Sequence, residues 1–434
     1  MALSEVYVDR PWRRPLNRAV ALLGVVVIGA RLDVRQGITL GIVLAAALAP
    51  VWWRTAWAVV GYRWLAVTTA LAVGSGIWLT SLASQGHATN STIAIRNSVL
   101  LVGVLVIVGF VIWARGHVSG PAVALVFGLA MLVTVPKTGA YAGNPWKFGY
   151  ATPVTIVLLA LAWWSGRRLV QVLVAIAVAA GSAINDGRSA FAILFLVACV
   201  LVWEGRPANA SRRASGIRAV VFLLALGAAA YWLIQALILE GAFGEATEVR
   251  TQAQIERSGS VIVGGRPEMA AFTALLAHRP IGFGSGTILG SDDILVAKQG
   301  MAGIGYEPNN NYVEVYLFGG QIELHSVIGD LWAWAGFAGL ALALVLSVLV
   351  ASGTARTIGA STSCALLLFL AFRFAWDLMF SPFVSSAMNL ELLLGLGLAR
   401  GWVLTRAAPA SRFTGEVGVD QLRALPTGAR NSHA

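Results

Sequence analysis

The sequence is poor in charge. Only 12% of its 434 residues are Asp, Glu, Lys or Arg, against 58% hydrophobic residues and a mean hydropathy of +0.76. A soluble domain carries about 25% charged residues, so this chain could not cover a water-exposed surface. Lysine is nearly absent, and the basic residues are almost all arginine. There are two cysteines, Cys199 and Cys364, both inside apolar runs, which excludes a disulfide scaffold and gives no sign of a metal site. No collagen-like repeat and no disordered composition is present. What remains is apolar sequence in blocks, the pattern of an all-α polytopic membrane protein.

A membrane-spanning helix needs about 20 mostly apolar residues. The sequence predicts about twelve such helices, at 19–32, 37–53, 64–84, 98–114, 119–136, 151–165, 168–184, 188–204, 219–239, 326–350, 361–380 and 385–403. The first follows Arg10, Arg13, Arg14 and Arg18 and is short, like a secretory leader. No cleavage is expected, since the next span follows within a few residues. The chain divides into a cytoplasmic arm 1–18, nine spans within 19–239, a large outer loop 240–325, three spans within 326–403 and a polar cytoplasmic tail 404–434.

The net charge of +11 would suggest nucleic acid in a soluble protein. Here it follows topology. With both termini inside, the inner segments net +14 and the outer segments −1, as the positive-inside rule requires. The expected partners are membrane lipids and no nucleic acid. The loop 240–325 holds 86 residues, with 5 basic and 10 acidic side chains and enough aromatic and aliphatic ones to fold. Segments that long are usually functional or disordered, and this one predicts a helical structure on the outer face.

Four places could carry chemistry. Gly264-Gly265-Arg266-Pro267-Glu268 opens a helical pattern whose Met269, Phe272 and Leu276 share a face, and Pro280 ends it. Arg266 therefore sits at a helix N-terminus, where free N–H groups and a guanidinium suit an anion. A solvated Arg paired with a nearby acid would look the same. The glycine-rich Pro280–Gly286, with Gly282 and Gly284, is a weak phosphate-loop signal, since no Lys-Ser/Thr follows. Arg188 follows the turn Asn185-Asp186-Gly187, where it could bind substrate, snorkel or pair with Asp186. His325 stands where the loop re-enters the membrane, a position for a general base. Asp330 and Glu323 could orient it, and Trp332 and Trp334 read as interfacial belt residues.

Two further features are left open. Arg373 and Asp377 lie one turn apart within a span, suiting either function or a structural ion pair. Asp292-Asp293 has no evident third ligand, so no metal is expected.

Arg188, Arg266 and His325 all fall on the predicted outer face. Their setting resembles the O-antigen ligase/polymerase superfamily of membrane glycosyltransferases, best over 150–350. The carriers are Gly187-Arg188-Ser189-Ala190, Arg266 followed by Pro280-x-Gly282-x-Gly284, His325-Ser326, and Gly336-Phe337-Ala338-Gly339-Leu340. Many members have His-Asn where this chain has His325-Ser326.

The resemblance implies a GT-C-like helical fold in the bacterial cytoplasmic membrane, with its active site on the outer face. It implies transfer of a glycan from a polyprenyl (undecaprenyl) diphosphate donor to a glycan or lipid acceptor hydroxyl, with no metal or cofactor. Arg188 and Arg266 would bind the diphosphate and His325 would be the base. Gly282, Gly284, Asp330, Arg373 and Asp377 are candidates for support. Ligase and polymerase would use the same residues. A polysaccharide flippase is the alternative from another class, although no repeated halves are visible.

Overall fold

The computed structural model describes residues 13–205, apart from 36, 136 and 138, together with 252 and 266–398. The predicted ninth span, residues 240–265 of the large loop apart from 252, and the polar tail 404–434 lie outside the described residues.

The described chain is mostly helical. Its helices are α1 (Arg13–Ala30), α2 (Leu40–Ala47), α3 (Ala49–Trp57), α4 (Val60–Ala83), α5 (Ser91–Ala114), α6 (Gly120–Val133), α7 (Ala151–Trp164), α8 (Arg168–Ile184) and α9 (Arg188–Glu204). After the undescribed stretch come α10 (Pro267–His278), α11 (Ser291–Gly303), α12 (Val327–Gly359), α13 (Ala365–Phe380) and α14 (Phe383–Gly397). A two-stranded ribbon joins α1 to α2. All the predicted apolar stretches except the undescribed ninth coincide with helices.

Among the described residues, Val60–Ala83, Ser91–Ala114, Trp146–Trp164 and Val327–Gly359 are long and apolar enough to cross a membrane. The stretch predicted as one span at 37–53 is a pair of helices, α2 and α3, bent by 77°, the form of a broken span or a re-entrant loop. Pro50 stands in the first turn of α3 and has no N–H to continue α2. Shorter apolar helices include Pro15–Ala30, Gly120–Val133, Arg168–Ile184 and Phe383–Gly397.

Hydrogen bonds sort the helix ends into two layers. At one end Arg31 Nη2 donates to Val384 O (3.1 Å) and Asn90 N to Gly286 O (2.8 Å). Ser326 Oγ donates to Leu378 O there (3.0 Å). At the other end Arg115 donates to the carbonyls of Leu396 and Leu398. Arg168 Nη2 joins Glu204 Oε2 and Ser361 O, both at 2.9 Å. Since α9 ends where α13 begins, and the two helices pack together, they run antiparallel. The start of α9 therefore shares a layer with the end of α13.

The segment Pro280–Ile288 does not rest on top of the bundle. It wedges between α4 and α12. Gly336 breaks α12 with φ 58 and ψ −135, interrupting its hydrogen-bond ladder. Phe283 N and Gly284 N both donate to Ala333 O at 2.9 Å, and Ser75 Oγ to Ala335 O at 2.9 Å. Ser285 N takes Gly76 O (3.1 Å) and Gly286 N takes Thr80 Oγ1 (3.0 Å). Gly76 lies two turns before the end of α4, so the loop descends roughly 11 Å along it. Irregular backbone at that depth persists only when protein groups satisfy it.

Trp332 and Trp334 are buried, and their Nε1 atoms donate to Pro280 O (3.0 Å) and Ile322 O (3.2 Å). They are core residues of the wedge, which corrects the reading of them as an interfacial belt.

The wedge needs its glycines. Gly282 and Gly284 have φ of 85 and 113. A Cβ on Gly282 would lie 2.5 Å from Trp332 O, and one on Gly284 would strike the backbone N of Thr80. Gly284→Ala is expected to lower stability by about 3 kcal/mol, combining backbone strain and overpacking. Thermal unfolding of the detergent-purified protein checks this, and a wild-type melting curve would remove the wedge from the account.

Candidate functional site

His325 sits between a π-helix, Tyr312–Leu317, and α12. Its φ is 47, in the left-handed region that non-glycine residues seldom occupy. The chain on both sides is fixed. Asp330 Oδ1 accepts from Leu324 N at 2.7 Å and its Oδ2 accepts from Phe383 N at 2.8 Å. Ser326 caps α12, its Oγ accepting from Gly329 N at 3.2 Å. Asp330 thus orients the backbone before His325 and leaves the ring to other partners. The His325 Nδ1 faces Glu323 O at 3.3 Å. With the Nδ1 proton donated to that carbonyl, Nε2 carries the lone pair.

Arg266 is the N-cap of α10, with Pro267 at the first helical position. Its guanidinium lies 5.5 Å from the ring centres of both Trp376 and Phe380. Its Nη1 donates to Phe380 O at 3.3 Å. Phe380 ends α13, and the carbonyl end of a helix attracts a cation. Two rings and one carbonyl therefore hold Arg266 in place.

Tyr312 links the two. Its ring centre is 5.6 Å from that of His325, and its hydroxyl donates to Glu268 Oε1. Arg266 is within electrostatic reach of the same hydroxyl, while burial and Glu268 push the phenol well above its usual range. Glu268, which the sequence places in the first turn of an amphipathic helix, is only 5% exposed. The buried face of α10 is Pro267, Glu268, Ala271, Phe272 and Leu275, one position off the predicted Met269–Phe272–Leu276 stripe.

Behind His325, Arg96 Nη1 donates to Gln321 Oε1 (2.9 Å), and its Nη2 lies 3.8 Å from Glu323 Oε1. Burial raises the Glu323 carboxyl above the ordinary range, and His325 and Arg96 pull it back. Tyr312, Glu268 and Arg96 were all missed in the sequence. The only local signal was aromatic density in the large loop.

Arg188 begins α9, in the layer that holds Arg266. Its Nε is 3.9 Å from Asp186 Oδ1, and Lys147 Nζ is 3.0 Å from Asp186 Oδ2. Tyr312 joins His325 to Glu268, two residues from Arg266 on the same helix, and Arg188 lies at the same end of the bundle. Arg373 Nε and Asp377 Oδ1 form an ion pair of 2.8 Å along α13, with Asp377 buried. That pair lies within one turn of the residues that hold Arg266.

The glycine-rich loop is not a phosphate cradle. Gly282 N donates to Arg279 O, and the amides of residues 283–286 are taken by α4 and α12, with Thr80 Oγ1 serving Gly286. Asp293 accepts from Gly290 N (2.9 Å) and meets His87 Nε2 at 2.9 Å. No group of three or more His, Cys, Asp or Glu among the described residues could hold a metal.

Among the described residues the cluster offers a fixed guanidinium and an imidazole with one free nitrogen at one end of an apolar helical bundle. That suits binding an anion beside a proton acceptor. No protein-family model, no curated protein and no solved structure matches the chain.

Proposed function

We propose that the chain is an O-antigen ligase-like membrane glycosyltransferase with about twelve spans, both termini cytoplasmic and its site on the outer face. One observation carries the reading: Tyr312 lays its ring against His325 and donates its hydroxyl to Glu268, two residues from Arg266 in the first turn of α10, at one end of the apolar bundle.

In this reading the acceptor hydroxyl oxygen attacks the anomeric carbon of the lipid-linked glycan. Its proton passes to His325 Nε2 as the bond from that carbon to the diphosphate oxygen breaks. The polyprenyl diphosphate leaves as an anion. Such a leaving group needs charge stabilisation more than protonation, and Arg266 and Arg188 supply it. Direct attack inverts the anomeric centre.

The test is the purified protein reconstituted with a defined polyprenyl-diphosphate glycan and an acceptor. A new glycosidic bond and released polyprenyl diphosphate are expected. Relocation of the donor lipid with no bond formed would make the protein a flippase. Arg266→Lys is expected to lower the transfer rate roughly 10–100-fold, the loss of one charge-assisted hydrogen bond. Lysine keeps the charge without the planar fork, so wild-type rates in that variant would remove Arg266 from donor binding.

A further inference from the structure

We propose that Glu268 and Tyr312 are positioning residues for His325, Glu268 fixing the Tyr312 side chain and the Tyr312 ring fixing the imidazole. This rests on the glycosyl-transfer reading above for what His325 does, though not for how it is held.

Three observations converge. The first is the ring contact. On the other side His325 has one long hydrogen bond, from Nδ1 to Glu323 O at 3.3 Å. That bond alone leaves the ring free to swing about it. The Tyr312 ring, tilted 55° at 5.6 Å, closes that freedom on one face.

The second is the anchor. Tyr312 sits at the first position of a π-helix, a rare turn that occurs most often at functional sites. Its hydroxyl reaches a carboxyl 44 residues away in sequence, on a different helix.

The third is the state of that carboxyl. Glu268 Oε2 is buried and, among the described residues, has no hydrogen-bond partner. A lone buried oxygen of this kind is rare in native proteins. The bond its other oxygen accepts from Tyr312 is therefore the contact that holds this carboxyl in place among the described residues.

The placement has a further use. Arg266 and Glu268 leave the first turn of α10 two residues apart. One short segment therefore places both the proposed anion-binding group and the anchor of the base.

Steady-state transfer kinetics of full-length variants test the idea. Tyr312→Ala is expected to lower kcat roughly 10²-fold, the scale of a 1 Å misplacement, with the donor KM little changed because Arg266 is untouched. Tyr312→Phe keeps the ring and loses the tether, and its kcat falls between the two. Glu268→Ala removes the same bond as Tyr312→Phe, so the double variant is no worse than either alone. Glu268→Gln keeps an acceptor oxygen and recovers the rate.

A second measurement needs no activity. Carbethoxylation of His325 by diethyl pyrocarbonate, followed by peptide mass spectrometry, is expected to be several-fold faster in Tyr312→Ala than in wild type or Tyr312→Phe. Unchanged kcat and unchanged His325 reactivity in Tyr312→Ala would overturn the proposal. So would a loss of rate that only follows a loss of folded protein by size exclusion. If no protein, wild type included, transfers sugar while Tyr312→Ala still frees His325, the transferase reading fails and the positioning role stands.

Discussion

Replacing His325 by alanine is expected to lower glycosyl transfer by roughly 10²–10⁴-fold, the range contributed by a positioned general base. The protein should still reach the membrane in normal amount. Among the described residues the His325 side chain makes a single hydrogen bond, to Glu323 O, and a ring contact with Tyr312, so the fold loses little without it. The backbone there is held by Asp330 and Ser326, which the substitution leaves alone. Alanine does inherit the left-handed φ of 47. His325→Asn is the matched control, since asparagine tolerates that conformation and cannot act as a base. Both variants should accumulate unused donor lipid in cells and lack product in the reconstituted assay. Full activity in either one would end the assignment of His325.

Asp330→Ala is expected to destabilise the protein by about 3–5 kcal/mol, because two buried amides lose their acceptor together. Asp330 is fully buried, and its two oxygens serve Leu324 N and Phe383 N. The consequence is local as well as global. Leu324 precedes His325, so releasing its amide also loosens the left-handed residue. Activity should therefore fall further than the loss of folded protein explains. Asp330→Asn keeps one acceptor oxygen and turns an amide group toward the other N–H, so it should fall between. Thermal unfolding in detergent and membrane abundance measure the first effect, and rate per folded molecule the second. A wild-type melting temperature for Asp330→Ala would contradict the hydrogen bonds at this junction.

Much of the fold was legible because a bilayer demands long apolar runs, and their punctuation is local. Pro267 and Pro280 bracket α10 as expected. The break between α2 and α3 was also written in the chain, as Pro50 inside an apolar run, though the sequence reading did not place a bend there. The site was legible only in its charged residues. Arg188, Arg266 and His325 stand out in a sequence so short of charge. Their partners do not. Tyr312 is one of eight tyrosines, and its role depends on a bond to Glu268, 44 residues earlier. Arg96 reaches Gln321 across 225 residues. Hydropathy and helical period carry no information about such pairings. They also misread Trp332 and Trp334, whose indoles were expected at a lipid boundary and serve the loop instead.

The wedge between α4 and α12 sets an order of assembly. Thr80 is made 206 residues before Gly286, the amide that occupies its hydroxyl. On the proposed topology α4 enters the bilayer long before that amide has been synthesised, let alone carried across the membrane. Until then Ser75, Gly76 and Thr80 form a small, polar notch on a helix otherwise suited to lipid. On that topology α4 matures late, waiting on a loop that would first be exported and then turned back. A chain stopped before residue 280 would insert its early helices and leave that notch open, a form that membrane quality control could recognise as unfinished.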